Sequence, residues 1–221
     1  MKIGVTNLKG GVGKTTLSIN IAVCFAHMGY KVCIVDTDTN QNAVQWYGAR
    51  EPGLPEVLVV GTTDPKALTK VVENLNSQHD IVVIDGTPNL SEMNSKVMLA
   101  SNLLIIPIRP GPNDYRAMEE FISRLNQVKE IKPELLACFL VNEYDDRKTA
   151  HRGIKNALQE NFEIPVMDTV VKSRTVYGES VLMGSGVYEC SDEKAKNEII
   201  VLTNNIISLT EKFLFNQQKT A

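Results

Sequence analysis

The sequence predicts an α/β fold: a single three-layer domain with a mostly parallel β-sheet and helices on both faces. Three observations predict it. Near-continuous apolar runs alternate with segments of helical period along the 221 residues. Strands covered on both faces lose their in–out alternation, and parallel pairing requires a crossover between them. Two of the apolar runs end in aspartate, and a glycine-rich loop joins the first run to the first helical segment. Such loops and strand ends meet in the crevice beyond the carboxyl edge of a parallel sheet.

The elements follow in chain order. "KIGVTN" (2–7) reads as a buried strand feeding the loop "NLKGGVGKTT" (7–16). In "TTLSINIAVCFAHMG", Leu17, Ile21, Cys24 and Phe25 recur at helical spacing and Gly29 marks the stop. Further strands are expected at 31–38 ("KVCIVDTD"), 80–86 ("DIVVIDG"), 102–108 ("NLLIIPI"), 134–142 ("ELLACFLVN") and 164–171 ("IPVMDTVV"). Helices are expected at roughly 64–76, 91–100, 114–130, 150–161 and 192–214. "REPGLPE" (50–56) is a Pro/Gly loop too short to divide domains, and no repeat or low-complexity tract is visible. Residues 1–221 therefore read as one domain, with about six C-terminal residues fraying.

Composition narrows the function. A hydrophobic fraction of 43% supports a sizeable core, and a net charge of -3 argues against an all-over basic surface. Cys24, Cys33, Cys138 and Cys190 are far apart with no C-x-x-C pair, so zinc, iron–sulfur clusters and a disulfide framework are not expected. Reduced thiols of a cytoplasmic protein are the plain reading. No apolar run is long enough to span a bilayer, and the chain enters strand and loop at once, so no secretory signal is expected.

The loop carries the chemistry. The common phosphate loop reads G-x-x-x-x-G-K-[ST]. Gly13, Lys14 and Thr15 match its end, while Leu8 stands where its first glycine belongs. Gly10, Gly11 and Gly13 let the backbone of Gly10–Thr16, Val12 included, turn its N–H groups toward a phosphate. Lys14 would reach the β- and γ-phosphates, and the hydroxyl of Thr15 would ligate Mg²⁺. Thr16 follows at the helix N-terminus, whose partial positive charge adds to the attraction. Asp85 closes "IVVID" as a magnesium-binding aspartate would, and Asp36 and Asp38 close the second strand. Any one acid at a strand end can be a turn or cap residue; three converging with a phosphate loop point to a Mg-nucleotide site.

"KGGVGKTT", "VDTD" and "VVIDGTP" resemble the ParA/MinD family of deviant Walker ATPases. The resemblance extends over nearly the whole chain, through "NEYDDRKT", "KSRTVYGES" and "YECSDEKAKNEIIVLTNNI", and is strongest to short ParA-type partition ATPases. It implies a slow Mg-ATP hydrolase that dimerises with ATP, binds DNA nonspecifically in that state, and segregates plasmid or chromosomal DNA with a centromere-binding, ParB-like partner. Such a protein would be cytoplasmic and nucleoid-associated when loaded. The resemblance assigns the extra lysine, Lys9, to the nucleotide of the partner subunit; the bland alternative is a solvated side chain at the loop edge. It gives Asp38 the attacking water and Asp36 a place supporting the magnesium shell. Arg147 matches a family arginine implicated in DNA contact, and Lys148, Arg152, Lys172 and Arg174 stand near it in sequence or in a second segment of the same role. Asn142 is a candidate for adenine or a cap of the following turn.

The chain departs from the family's D-x-D-P-Q at Thr39 and Asn40, and Asn89 stands where a second proline is common. Two other functions share the fold. A MinD-type membrane switch needs a basic amphipathic tail. "IISLTEKFLFNQQKTA" offers Phe213, Leu214 and Phe215 but only Lys212 and Lys219 as cations, so no stable membrane association is expected. A phosphate-loop ligase of cofactor synthesis would need a second substrate pocket, for which no sequence signal is found.

Overall fold

The structure is a computed structural model that describes residues 1–88, 92–111 and 115–220, without the side chains of 115–117, 150 and 212–220. Its strands are β1 (Lys2–Val5), β2 (Val32–Asp36), β3 (Val57–Gly61), β4 (Ile81–Asp85), β5 (Leu103–Ile108), β6 (Leu136–Tyr144) and β7 (Val166–Lys172). They form one parallel sheet in the order β3-β2-β4-β1-β5-β6-β7. The helices are α1 (Lys14–His27), α2 (Asn42–Gly48), α3 (Pro65–Asn76), α4 (Glu92–Ala100), α5 (Tyr115–Ile131), α6 (Thr149–Arg152), α7 (Ile154–Asn161), α8 (Val176–Leu182) and α9 (Glu193–Thr220).

The three layers follow from what each element buries. Every residue of α1 from Leu17 to Ala26 is buried, because the helix lies between the sheet and α9. α2 and α8 join that layer through Trp46 and Tyr177. On the opposite face α3 buries Leu68 and Val72, with Asp64 capping its first turn through the Lys66 amide at 2.9 Å and Pro65 leading it in. α4, α5 and α7 complete that layer over β5 and β6.

Several elements differ from the sequence expectation. β3 was not expected; it is an edge strand that buries only Val57 and Val59 in alternation. α2 and α8 were also not expected. The helix expected at 150–161 breaks at Gly153 into α6 and α7, and α9 runs to Thr220 rather than about 214. The side chains of Lys212, Phe213, Leu214, Phe215 and Lys219 lie outside the described residues, as does Asn89. Among the described residues no helix is long and apolar enough to cross a membrane.

Register places the strand-end residues. β1 pairs Val5 with Asp85, and β2 pairs Asp36 with Asp85. The loop after β1 therefore starts beside two aspartates on the carboxyl edge of the sheet.

Candidate nucleotide site

The loop is braced from its first residue. The Asn7 side-chain amide donates to the Pro107 carbonyl at 2.8 Å, and its oxygen accepts the Lys9 amide at 3.2 Å. Leu8, standing where the strict motif has glycine, packs instead on the apolar cluster beneath β5 and β6. The left-handed turns fall at Gly11 (φ 72°) and Gly13 (φ 88°). A Cβ on Gly13 would also run into the Asn142 amide, so a side chain is excluded there twice. Gly10 meets only Pro88, at 4.0 Å, and the space around it does not demand glycine. Buried Val12 offers its carbonyl to Asn142 Nδ2 at 2.8 Å. Asn142 thus clamps the loop to the end of β6.

Gly13 starts α1 with no side-chain cap and no acid in the first turn, leaving the N–H groups of Lys14, Thr15 and Thr16 for a ligand. The Lys14 side chain is buried and its ammonium donates to the Lys9 carbonyl at 2.8 Å. Burial lowers its pKa, while the charges of Asp85 and Asp38 oppose the fall. An ammonium folded back on its own loop can exchange that carbonyl for a phosphate oxygen, a charge-assisted bond.

Asp85 is fully buried. Its Oδ1 accepts Ser18 Oγ at 3.0 Å and the Thr15 hydroxyl lies near the carboxyl, yet Oδ2 has no partner. Burial pushes this carboxyl up to about 7, with Asp36 adding to the rise, against the nearby Thr15 hydroxyl, the Ser18 hydrogen bond and the Lys14 charge. An orphaned carboxylate oxygen beside a threonine hydroxyl is a hard oxygen donor set, and it fits Mg²⁺.

Asp36, expected to support the metal shell, has both oxygens engaged by backbone N–H groups. Oδ1 accepts Asp38 N at 3.1 Å, and Oδ2 accepts Ala43 N at 2.9 Å and Val44 N at 3.2 Å. It caps the N-terminus of α2 and braces the Asp38 turn. Asp38 is buried, with Oδ1 accepting the Asn40 amide at 2.9 Å. Thr39 and Asn40 are exposed, and the turn is closed by Gln41 N on the Asp38 carbonyl (3.1 Å) and Gln45 Nε2 on the Asn40 carbonyl (2.8 Å). Hydrogen bonds do here what a proline would do by its ring.

A cavity of about 310 Å³ opens on the other flank of α1, lined by Thr16, Leu17, Asn142, Glu143, the 171–175 segment and Tyr177. It adjoins Gly13 and has the size for a nucleoside base. Two of the candidate DNA contacts, Lys172 and Arg174, belong to its lining. Lys172 Nζ reaches Asp146 at 2.6 Å, which joins the "DDRKTAHR" and "VVKSRT" segments into one surface. Arg147, 90% exposed, makes a forked pair with Asp145 (2.9 and 3.0 Å), and that hydrogen bond holds the Asp145 carboxyl down to about 2. Arg174 pairs with Glu198 at 2.7 Å. Lys148 and Arg152 are exposed.

Sequence reasoning missed Ser18, Glu198 and the part of 171–177 in lining the cavity, of which it had named only Lys172 and Arg174, as DNA contacts. Ser18 could have been found, as a polar residue four positions after Lys14 on a helix otherwise apolar around it. Glu198 carried no such signal, because its partners lie more than twenty residues away.

A parallel sheet, a glycine loop entering a helix and two strand-end aspartates converging on it define a phosphate-loop nucleotide-binding protein. Residues 3–186 match the CobQ/CobB/MinD/ParA nucleotide-binding domain family (CbiA), and the chain belongs to it. It is 30% identical to the maintenance of carboxysome distribution protein A of Halothiobacillus neapolitanus, over 93% of this chain and 95% of that protein. It is 26% identical to the chromosome-partitioning ATPase Soj of Thermus thermophilus, over 84% and 86%. Cobyrinic acid a,c-diamide synthase from Mycobacterium smegmatis, solved with an ATP analogue and magnesium, has the same fold: TM-score 0.78 at 20% identity, covering 93% of each chain.

Proposed function

We propose that this chain is a Mg-ATP-dependent switch of the ParA type: a slow ATPase that dimerises around ATP and, as a dimer, binds DNA without regard to sequence. The observation that carries the reading is the convergence at Lys14, whose buried ammonium faces its own loop carbonyl under the pull of Asp85 and Asp38. Lys14, the amides of Gly10–Thr16 and the helix N-terminus bind the β- and γ-phosphates. Thr15 and Asp85 hold the Mg²⁺, which when bound neutralises phosphate charge. Asp36 keeps the Asp38 turn in place, and Asp38 orients a water toward the γ-phosphorus. Lys9 crosses to the nucleotide of a second subunit, where it offsets the charge of two facing triphosphates. The base lies in the cavity beside Asn142, which serves it by holding the loop.

The DNA surface is Arg147, Lys148, Arg152, Lys172 and Arg174. It is local, in keeping with a net charge of -3. ATP controls it through valence: one subunit makes few phosphate contacts, and a dimer doubles them. In a mobility-shift assay, binding should require ATP, ignore sequence and fall linearly in log–log salt. Arg147→Glu or Arg174→Glu should abolish it while light scattering still reports the ATP dimer. Binding without ATP, or preference for one sequence, would point to a site-specific regulator instead.

The cargo has two readings. Segregation of plasmid or chromosomal DNA with a centromere-binding partner is one. The 30% identity to a carboxysome distribution protein favours a second, positioning of another cargo. Stimulation of the ATPase by the product of an adjacent gene, with or without centromere DNA, separates them.

A further inference from the structure

The segment "YECSDE" carries part of the family resemblance, yet nothing in the nucleotide site uses it. Its Glu189 and the guanidinium of Arg50 are each only 5% exposed. They meet through both nitrogens, Nη2–Oε1 at 2.8 Å and Nη1–Oε2 at 3.1 Å. The same guanidinium donates to the Pro55 carbonyl at 2.8 Å and the Gly184 carbonyl at 3.2 Å, and lies 5.1 Å over the Trp46 ring. Trp46 Nε1 donates to the Ser185 carbonyl at 3.0 Å. Glu189 is held in turn by the Gly186 amide (3.0 Å) and His27 Nε2 (2.8 Å). At Gly184 (φ 71°) the backbone of Ala49 and Arg50 comes so close that no Cβ fits.

The contacts of Arg50, Trp46 and Gly184 fasten the C-terminal end of α2, and His27 ties Glu189 to the last residue of α1. The N-terminal end of α2 is fastened by Asp36 and begins four residues after Asp38. The helix between is seven residues, about 10 Å long. A strut this short, pinned at both ends, has nothing along it to absorb a displacement.

We infer that Glu189 is a positioning residue: through Arg50 and Trp46 it fixes α2 and with it the place of Asp38 above the phosphate loop. The inference rests on the role given to Asp38 above. The phosphate loop itself is braced independently, by Asn7 and Asn142. Loss of the Glu189–Arg50 pair therefore leaves nucleotide binding in place and misaligns the water, and misplacement of about 1 Å at a reacting centre costs up to 10²-fold in rate.

The test uses Glu189→Gln and Arg50→Lys in the full chain, at a temperature where circular dichroism shows both folded. Affinity for a fluorescent ATP analogue and KM for ATP should stay within about twofold of wild type, while kcat falls about tenfold or more. Arg50→Lys, which keeps the charge and loses the fork, should fall between. In nucleotide-free protein, hydrogen exchange at the Ala43 and Val44 amides should quicken while amides of β1 and β4 keep their wild-type rates. Unchanged exchange at Ala43 and Val44 overturns the inference, and so does exchange quickened evenly across β1 and β4, which would mark Glu189 as a general stabiliser. If Asp38→Ala turns over ATP like wild type, it is the role of Asp38 that fails, and exchange at Ala43 and Val44 still decides whether the strut exists.

Discussion

Asp85 makes the nucleotide-free protein sensitive to pH in a direction that can be worked out. Its carboxyl is fully buried, one oxygen is orphaned, and its pKa rises from 3.8 to about 7. That rise amounts to about 4 kcal/mol of preference for the neutral acid in the folded state. The folded protein holds this proton more tightly than the unfolded chain does. The stabilisation is therefore complete below about pH 4 and is lost as pH rises through about 7. Asp85→Asn cannot ionise and should not lose it. Between pH 5 and pH 8 about two pH units of that titration fall, about 3 kcal/mol, so at about 2–4 °C per kcal/mol for a chain of this size the Tm of the variant should gain on wild type by about 5–10 °C.

The assay is thermal unfolding of both proteins across that range in EDTA without nucleotide, so that only the difference between them is read. Adding Mg-ATP should reverse the order at pH 8, because the cation occupies the oxygen the proton leaves and the amide offers it no charge. A Tm difference that stays flat to within about 2 °C from pH 5 to pH 8 would refute the reasoning, since Asp85 would then titrate alike in the folded and unfolded chain.

The division of labour in the loop gives further expectations. Lys14→Ala should lose most nucleotide binding, whereas Lys9→Ala should bind ATP with modest loss yet remain monomeric in light scattering; an ATP-dependent dimer of Lys9→Ala would remove its role in trans. Asp38→Ala should hold ATP and stay dimeric with turnover at least tenfold down, measured by phosphate release; equal behaviour of Asp38→Ala and Asp85→Ala would undo the separation of water and metal roles. Gln41 sits in the left-handed region at φ 51° and ψ 43°, so Gln41→Gly should raise stability by about 1 kcal/mol, seen as a Tm higher by about 2–4 °C. A lower Tm would show that the entropy glycine adds to the unfolded chain outweighs the backbone strain.

How much of this was legible in the sequence depended on distance along the chain. β2, β4 and β5 announce themselves because a strand covered on both faces is apolar at nearly every position, whereas β7, an edge strand with Asp168 exposed, shows only through its Val and Met content. β3 is covered on one side only, follows Pro55, and was hidden by the loop before it. α2 and α8 have seven residues each, too few to show a period; α2 leans on Asp36 and the Arg50–Glu189 pair, and α8 on Tyr177, whose hydroxyl bonds Glu198. The glycine turns and the Lys14–Thr15 pair come from ten contiguous residues and could be read directly. The clamp of Asn142 on Val12 spans 130 positions and that of Arg50 on Glu189 spans 139, so no local pattern encodes either. Asp36 shows a different limit. An aspartate at a strand end looks the same in sequence whether it caps a helix or ligates a metal, and only its bonded amides separate the two.

The pairing of the surface cations bears on why ATP would be needed for DNA binding at all. Three of the five proposed contacts already face a carboxylate: Arg147 on Asp145, Lys172 on Asp146 and Arg174 on Glu198. A DNA phosphate must displace that carboxylate. The Arg147 and Lys172 pairs lie largely in water, where screening makes the exchange cheap, whereas Arg174 and Glu198 are partly buried and Glu198 also holds Tyr177; in each case the displaced acid lowers the net gain of the contact. Binding by one subunit is thereby held weak. Two subunits bring the same small gains in double number, and the second set is made from an already bound state at high effective concentration. Affinity then rises steeply with valence while the affinity of the lone subunit stays low. In the proposed switch, acids placed among the arginines would sharpen the response to dimerisation, because removing them would strengthen DNA binding by the ATP-free subunit.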